Sequence, residues 1–170
     1  MNRVDIREAL AGADLEAVRD LCRAFLDWLY ERYPDHREAL EAYYNPTDFA
    51  RLLAELPVRH GPPEGTILLA RLDGRAAGCA MLDRQADGVA EMHRLFVTAD
   101  ARGAGVGVAL VESLMARARD LSYARMRLDT GPLHHEAQAL YRRLGFRVRD
   151  AYYDPGPHLR DELIFMERQL

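Results

Sequence analysis

The 170-residue chain contains no lysine: all 23 of its basic residues are arginine. That absence removes every chemistry built on an ammonium side chain. A Walker-type phosphate loop, a protein kinase and a pyridoxal-phosphate enzyme each depend on a lysine that cannot be supplied here. Cysteine is nearly as scarce. Cys22 and Cys79 lie far apart and form no CxxC pair, so neither a disulfide framework nor a thiolate zinc site is expected, and a reducing cytoplasm fits. No apolar run approaches the roughly 18 residues that cross a bilayer, so no membrane partner is expected. Met1–Asp5 lacks the basic-then-apolar layout of a secretion signal. With 27 acidic residues against 23 basic ones, the net charge of −4 argues against a nucleic-acid partner.

What is present reads as one globular domain over residues 1–170, because 49% of the residues are hydrophobic and 29% charged and no repeat or linker divides them. A short strand is predicted at Val4–Arg7. Asp14 offers an N-cap to a helix in which Leu15, Val18, Leu21, Cys22, Phe25, Trp28 and Leu29 recur at helical spacing, ending near Pro34. A second helical stretch is predicted over Asp48–Leu56. From Thr66 the texture changes to strands: Ile67–Leu72, the turn dipeptide Asp73-Gly74, Ala76–Leu82, and, after Asp87-Gly88, Val89–Val97. Asp100–Gly105 reads as a loop, and a helix from Val106 carries Leu110, Val111, Leu114, Met115, Ala118 and Leu121 on one face. Met126–Thr130 reads as a strand, Glu136–Leu144 as a helix, and Val148–Tyr153 and Leu163–Arg168 as closing strands. Strands that first meander and then alternate with helices predict an α/β class, with a mixed sheet covered by helices.

The run Arg102-Gly103-Ala104-Gly105-Val106-Gly107 stands between a strand and an amphipathic helix. Glycines let backbone approach a ligand, and the first N–H groups of the helix have no internal partner. Together with the positive end of the helix dipole, those donors suit a phosphate or pyrophosphate. The spacing G-x-G-x-G is not the dinucleotide fingerprint G-x-G-x-x-G.

The whole stretch EMHRLFVTADARGAGVGVALVESL, followed by MRLDTG and EAQALYRRLGF, resembles the GNAT superfamily of acyl-CoA-dependent N-acetyltransferases. Its motif, Arg or Gln-x-x-Gly-x-Gly or Ala, matches Arg102, Gly105 and Gly107. A second element, Leu-Tyr-x-x-x-Gly-Phe, matches Leu140, Tyr141, Gly145 and Phe146. The resemblance implies a mostly antiparallel sheet of about seven strands, splayed between the fourth and fifth, with about four flanking helices. It implies acetyl-CoA as cosubstrate, no metal, and direct transfer of the acetyl group to a primary amine of a small molecule. A homodimer is compatible with it.

The resemblance also assigns roles. Backbone groups of Leu95, Phe96 and Val97 would pair with the pantetheine arm like an added strand. The Leu95 amide would hold the thioester oxygen, and the amides of Arg102, Gly103, Ala104, Gly105, Val106, Gly107 and Val108 the pyrophosphate. Arg102 itself reads as loop-shaping or phosphate-adjacent. Glu91 stands where some members carry a catalytic base, and strand alternation puts Glu91, His93 and Leu95 on one face, leaving His93 as an alternative base. Tyr141 matches the tyrosine that protonates the CoA thiolate. His134 occupies the place of an asparagine that contacts the cofactor, so that contact is either lost or made by imidazole. It is the one feature favouring a non-catalytic acyl-CoA-binding module; a protein N-acetyltransferase is a third reading. His134-His135, with no nearby acid or thiolate cluster, is a poor ligand set for a metal. The acceptor pocket is expected among the aromatics of the N-terminal helices and Tyr152-Tyr153. The arginines at 142, 143, 147 and 149 read mostly as a solvated face, with a 3′-phosphate contact as the alternative.

Overall fold

A computed structural model describes residues 3–170. Seven strands form one sheet: β1 (Val4–Glu8), β2 (Thr66–Leu72), β3 (Arg75–Ala86), β4 (Val89–Val97), β5 (Arg125–Thr130), β6 (Arg147–Arg149) and β7 (Ile164–Gln169). They lie in the order β1-β2-β3-β4-β5-β7-β6. Every neighbouring pair is antiparallel except β4 and β5, which run parallel. Five α-helices accompany them: α1 (Gly12–Arg32), α2 (Arg37–Tyr43), α3 (Pro46–His60), α4 (Val106–Asp120) and α5 (His135–Arg143). The expected architecture is therefore present, with one helix more than the four read from periodicity. The extra one, α2, buries no residue and so leaves no apolar stripe to read. Among the described residues no helix is long and apolar enough to cross a membrane.

Each face of the sheet has its own core. On one, Leu110, Val111 and Leu114 of α4 meet Ala80, Leu82, Met126 and Leu128 of the sheet, with Tyr141 and Phe146 sealing the far end. On the other, α1 and α3 bring Leu15, Val18, Leu21, Leu53 and Leu56 against Ile67, Leu69 and Met81. Cys22 and Cys79 both lie in this second core as free thiols, and the Cys79 thiol donates to the Arg94 carbonyl at 3.7 Å.

Four boundaries differ from expectation, the first being β3, which runs on past Leu82 to Ala86. Asp14 is not the N-cap of α1; Ala11 is, without a side-chain bond, and Asp14 sits in the first turn, where it accepts from Arg71 at 2.7 Å. Helix α3 runs past Pro57 to His60. A proline leaves the carbonyl four residues earlier without its helical donor, and here the Arg19 Nε–H of α1 donates to the Leu53 carbonyl at 2.9 Å instead. Strand β6 stops at Arg149 rather than Tyr153, because Tyr152 and Tyr153 leave the sheet edge to reach two carboxylates.

Candidate active site

The parallel ladder is short. Val89, Ala90 and Glu91 pair with Arg125, Met126 and Arg127, and there it ends: β4 continues to Val97 without a β5 partner, while β5 turns its remaining residues to β7. This is the expected splay, and Glu91 is at its apex. At the open end, a short 3-10 turn (Ala99–Ala101) leads into the glycine loop. Gly103 and Gly105 adopt φ of +80° and +84°. Gly105 is the N-cap of α4, whose first turn contains no acidic residue. The leading amides of α4 are thus left for an anion. Arg102 turns back and donates through Nε to the Val97 carbonyl at 3.3 Å, fastening the loop to the end of β4. That is a loop-shaping contact, and it occupies the Val97 carbonyl.

Strict alternation along β4 fails at Arg94, whose φ is +50°; the β3 register slips there, with Met81 opposite His93 and Cys79 opposite Phe96. The bulge changes which residues share a face. Glu91 and His93 do share one, the side of α1 and α3. Leu95, expected beside them, packs into the α4 core instead, and Phe96 faces α1, its ring 5.7 Å from that of Phe25. No residue type in the sequence announces this bulge, because arginine has no preference for a left-handed φ.

Glu91 is 14% exposed. Burial pushes its carboxyl above the ordinary glutamate range, against the pull of nearby His93 and of a hydrogen bond from Tyr152. The Tyr152 hydroxyl donates to Glu91 Oε1 at 2.7 Å, and the Tyr153 hydroxyl donates to Asp129 at 2.8 Å. Arg127 and Arg149 lie over the Tyr152 ring at 5.2 and 5.6 Å, and both bond to Glu167. Arg149 is thereby engaged within the protein rather than merely solvated.

Two residues that periodicity and motifs do not single out complete this face. Asp83 of β3, opposite Glu91, receives His93 Nε2 at 3.0 Å on one oxygen and faces His60 Nδ1 at 2.9 Å on the other. His60, the last residue of α3, is 3% exposed, and its contact with Asp83 is short but bent. Burial would raise the Asp83 carboxyl, but the close contact with His60 and the hydrogen bond with His93 outweigh it and hold the group well below the usual carboxylate range. His60 Nε2 lies 3.2 Å from Arg94 Nη1. A guanidinium only donates, so Nε2 accepts and neutral His60 carries its proton on Nδ1, toward Asp83. His60, Asp83 and His93 place three potential ligand atoms within 4.8 Å of one another. A metal there would have to displace the proton that the Arg94 contact leaves on His60 Nδ1.

Tyr141, on α5, is 5% exposed; burial pushes its hydroxyl above the ordinary tyrosine range. His134, at the N-cap of α5, is gripped from α1. The Tyr33 hydroxyl is hydrogen-bonded to its Nδ1 at 2.7 Å and accepts from the Leu133 N–H at 3.0 Å, and the Trp28 ring lies 4.9 Å away. Its Nδ1 therefore serves the fold.

Residues 20–146 match the model of the acetyltransferase (GNAT) family. The chain belongs to this family. An uncharacterized N-acetyltransferase of Schizosaccharomyces pombe is 38% identical over 104 residues, 59% of this chain and 64% of that protein. An IAA acetyltransferase of Azospirillum brasilense is 34% identical over 110 residues, 64% of this chain and 70% of that one. The alignment with the first thus spans less than two thirds of its length. The solved structure of PaiA N-acetyltransferase from Thermoplasma acidophilum in complex with coenzyme A superposes with a TM-score of 0.73 over 99% of both chains, at 19% identity, a likeness of fold. The splay, the glycine loop and α4 of this chain are accordingly the GNAT arrangement.

Proposed function

We propose that this GNAT protein transfers the acetyl group of acetyl-CoA directly to a primary amine of a small molecule. The observation that carries the reading is the splay, whose apex holds a carboxylate and whose open end leads to unpartnered helix amides. In this reading the pyrophosphate rests on the amides from Arg102 to Val108, and the pantetheine arm lies along the free edge of β4 at Leu95 and Phe96. Val97 contributes its remaining backbone group. The Leu95 amide polarises the thioester carbonyl, the kind of fixed donor that supplies about 3–4 kcal/mol in acyl transfer.

Attack requires a neutral amine. Glu91 takes a proton from it, helped by the burial that raises its carboxyl. As the C–N bond forms and the C–S bond breaks, the sulfur keeps the electron pair, and Tyr141 delivers a proton to it. His134 keeps its ring beside the cofactor's path while Nδ1 stays with Tyr33. The acceptor enters on the Glu91 side, beneath Tyr152 and Tyr153. A small acceptor is favoured because these rings already cover Glu91 and Asp129.

Calorimetry should register acetyl-CoA binding, and a panel of primary amines should contain at least one that releases CoA thiol at a rate proportional to enzyme. A protein that binds acetyl-CoA yet acetylates no amine on the panel would be an acyl-CoA-binding module instead.

A further inference from the structure

Resting on the acetyl-transfer reading above, we propose that His93 is a second proton acceptor for the amine, and that Asp83 and His60 are positioning residues that hold its ring in the competent tautomer. An ammonium acceptor must lose two protons from nitrogen on its way to an amide. One is matched by the proton gained at sulfur; the other leaves for solvent. Glu91 is suited to only one of these tasks, being 14% exposed with one oxygen held by Tyr152. His93 is 27% exposed, stands on the length of β4 that β5 leaves unpaired, and shares the Glu91 face with its Nε2 3.7 Å from Glu91 Oε2. It is two residues from Leu95, whose amide holds the thioester oxygen in this reading; Glu91 is four.

The groups facing His93 decide its chemistry. Asp83 comes from β3, Glu91 and Arg94 from β4, and His60 from α3, its ring 5.0 Å from that of His93. The Arg94 contact leaves the His60 proton on Nδ1, which faces Asp83 Oδ2 at 2.9 Å in a close polar contact bent away from hydrogen-bond geometry. With His60 packed against this oxygen, it is Asp83 Oδ1 that receives the Nε2–H of His93, at 3.0 Å. Neutral His93 then has its lone pair on Nδ1, the nitrogen that takes the proton. An acid that orients a histidine through its N–H and stabilises the imidazolium as it forms is the logic of hydrolase triads, here supported by a second, buried histidine. The proton moves from the ammonium nitrogen to His93 Nδ1 and then to water, and the nitrogen keeps the electron pair it uses on the thioester carbon.

Two measurements on the full chain test this. In 15N-labelled protein, imidazole correlation spectra should show His93 as the Nε2–H tautomer, and Asp83→Asn should abolish that preference; an Nδ1–H tautomer in the wild type overturns the proposal. Steady-state rates should be compared with a primary alkylamine from the panel and with hydroxylamine, which is largely unprotonated at neutral pH. His93→Gln should lose roughly 100-fold in kcat with the alkylamine, keep its hydroxylamine rate, and leave the KM for acetyl-CoA unchanged. Equal losses with both acceptors mean a structural role, and no loss with either removes His93 from the chemistry; both results overturn the proposal. Wild-type protein that binds acetyl-CoA and acetylates neither acceptor sinks the acetyl-transfer reading itself, a separate outcome.

Discussion

His134 binds the fate of α5 to that of α1 through one hydrogen bond. A Cβ at Gly131 would fall 2.2 Å from the Tyr33 hydroxyl and 2.3 Å from His134 Nδ1, so only glycine fits beside the pair. Burial pulls the His134 imidazole down to about 4, whereas an unfolded histidine titrates near 6.5. As pH falls, the unfolded chain therefore takes up this proton first. The contribution is complete above about pH 6.5 and is lost as pH drops toward 4, by roughly 2–3 kcal/mol. Burial lowers His60 in the same sense, so the measurement is a difference. Urea denaturation between pH 7.5 and 4.5 should show a shallower loss for His134→Asn than for the wild type, and parallel curves would refute the assignment. Tyr141 gives the second prediction at this scale. Its ring fills the core and its hydroxyl is the proton donor of the proposed reaction, so Tyr141→Phe should keep stability within about 1 kcal/mol and leave the KM for acetyl-CoA unchanged. The loss in kcat should be on the order of 100-fold; an unchanged kcat would remove the role.

At the scale of elements, α3 survives an internal proline because another helix supplies the missing donor. Arg19 should therefore matter more than a surface arginine. Arg19→Ala leaves the Leu53 carbonyl unpaired in a partly buried seam and should cost about 1–2 kcal/mol. On a Pro57→Ala background the helix's own amide can reach that carbonyl, so the cost of Arg19→Ala should fall by about 1 kcal/mol; additive effects in chemical denaturation would break the link. The same seam explains what the sequence concealed. Pro57 reads as a stop when the partner is invisible, and Arg19 sits in another helix. Strand β4 was legible over Val89–Val97 because Asp87-Gly88 and the loop after it bracket an apolar run. Its bulge at Arg94 was not, since a register slip against β3 is a property of two strands together. The overlong reading of β6 has a similar origin. Tyr152 and Tyr153 are good strand formers, but two partly buried carboxylates compete for their hydroxyls and win.

For the whole molecule, the two motifs and their order sufficed to place the splay, the glycine loop and Tyr141 in one architecture. The histidine–aspartate network escaped because it joins the end of α3 to the middles of β3 and β4, with no local spacing to mark it. A cofactor laid across the splay should stabilise the fold as a unit. The seat proposed for it combines the free edge of β4, the leading amides of α4 and the neighbourhood of α5, which the unfolded chain does not bring together. A ligand that binds only the folded state at 100 times its Kd adds about 2.7 kcal/mol. For a domain of this size that raises Tm by roughly 5–10 °C. Coenzyme A at that excess should produce such a shift by calorimetry. Gly105→Val should blunt it, because φ of +84° at the N-cap strains a β-branched residue and turns the leading amides of α4 away from the pyrophosphate. If the wild-type Tm does not move under saturating coenzyme A, the cofactor seat lies elsewhere. If Gly105→Val shifts as far as the wild type, the glycine loop is not part of the seat.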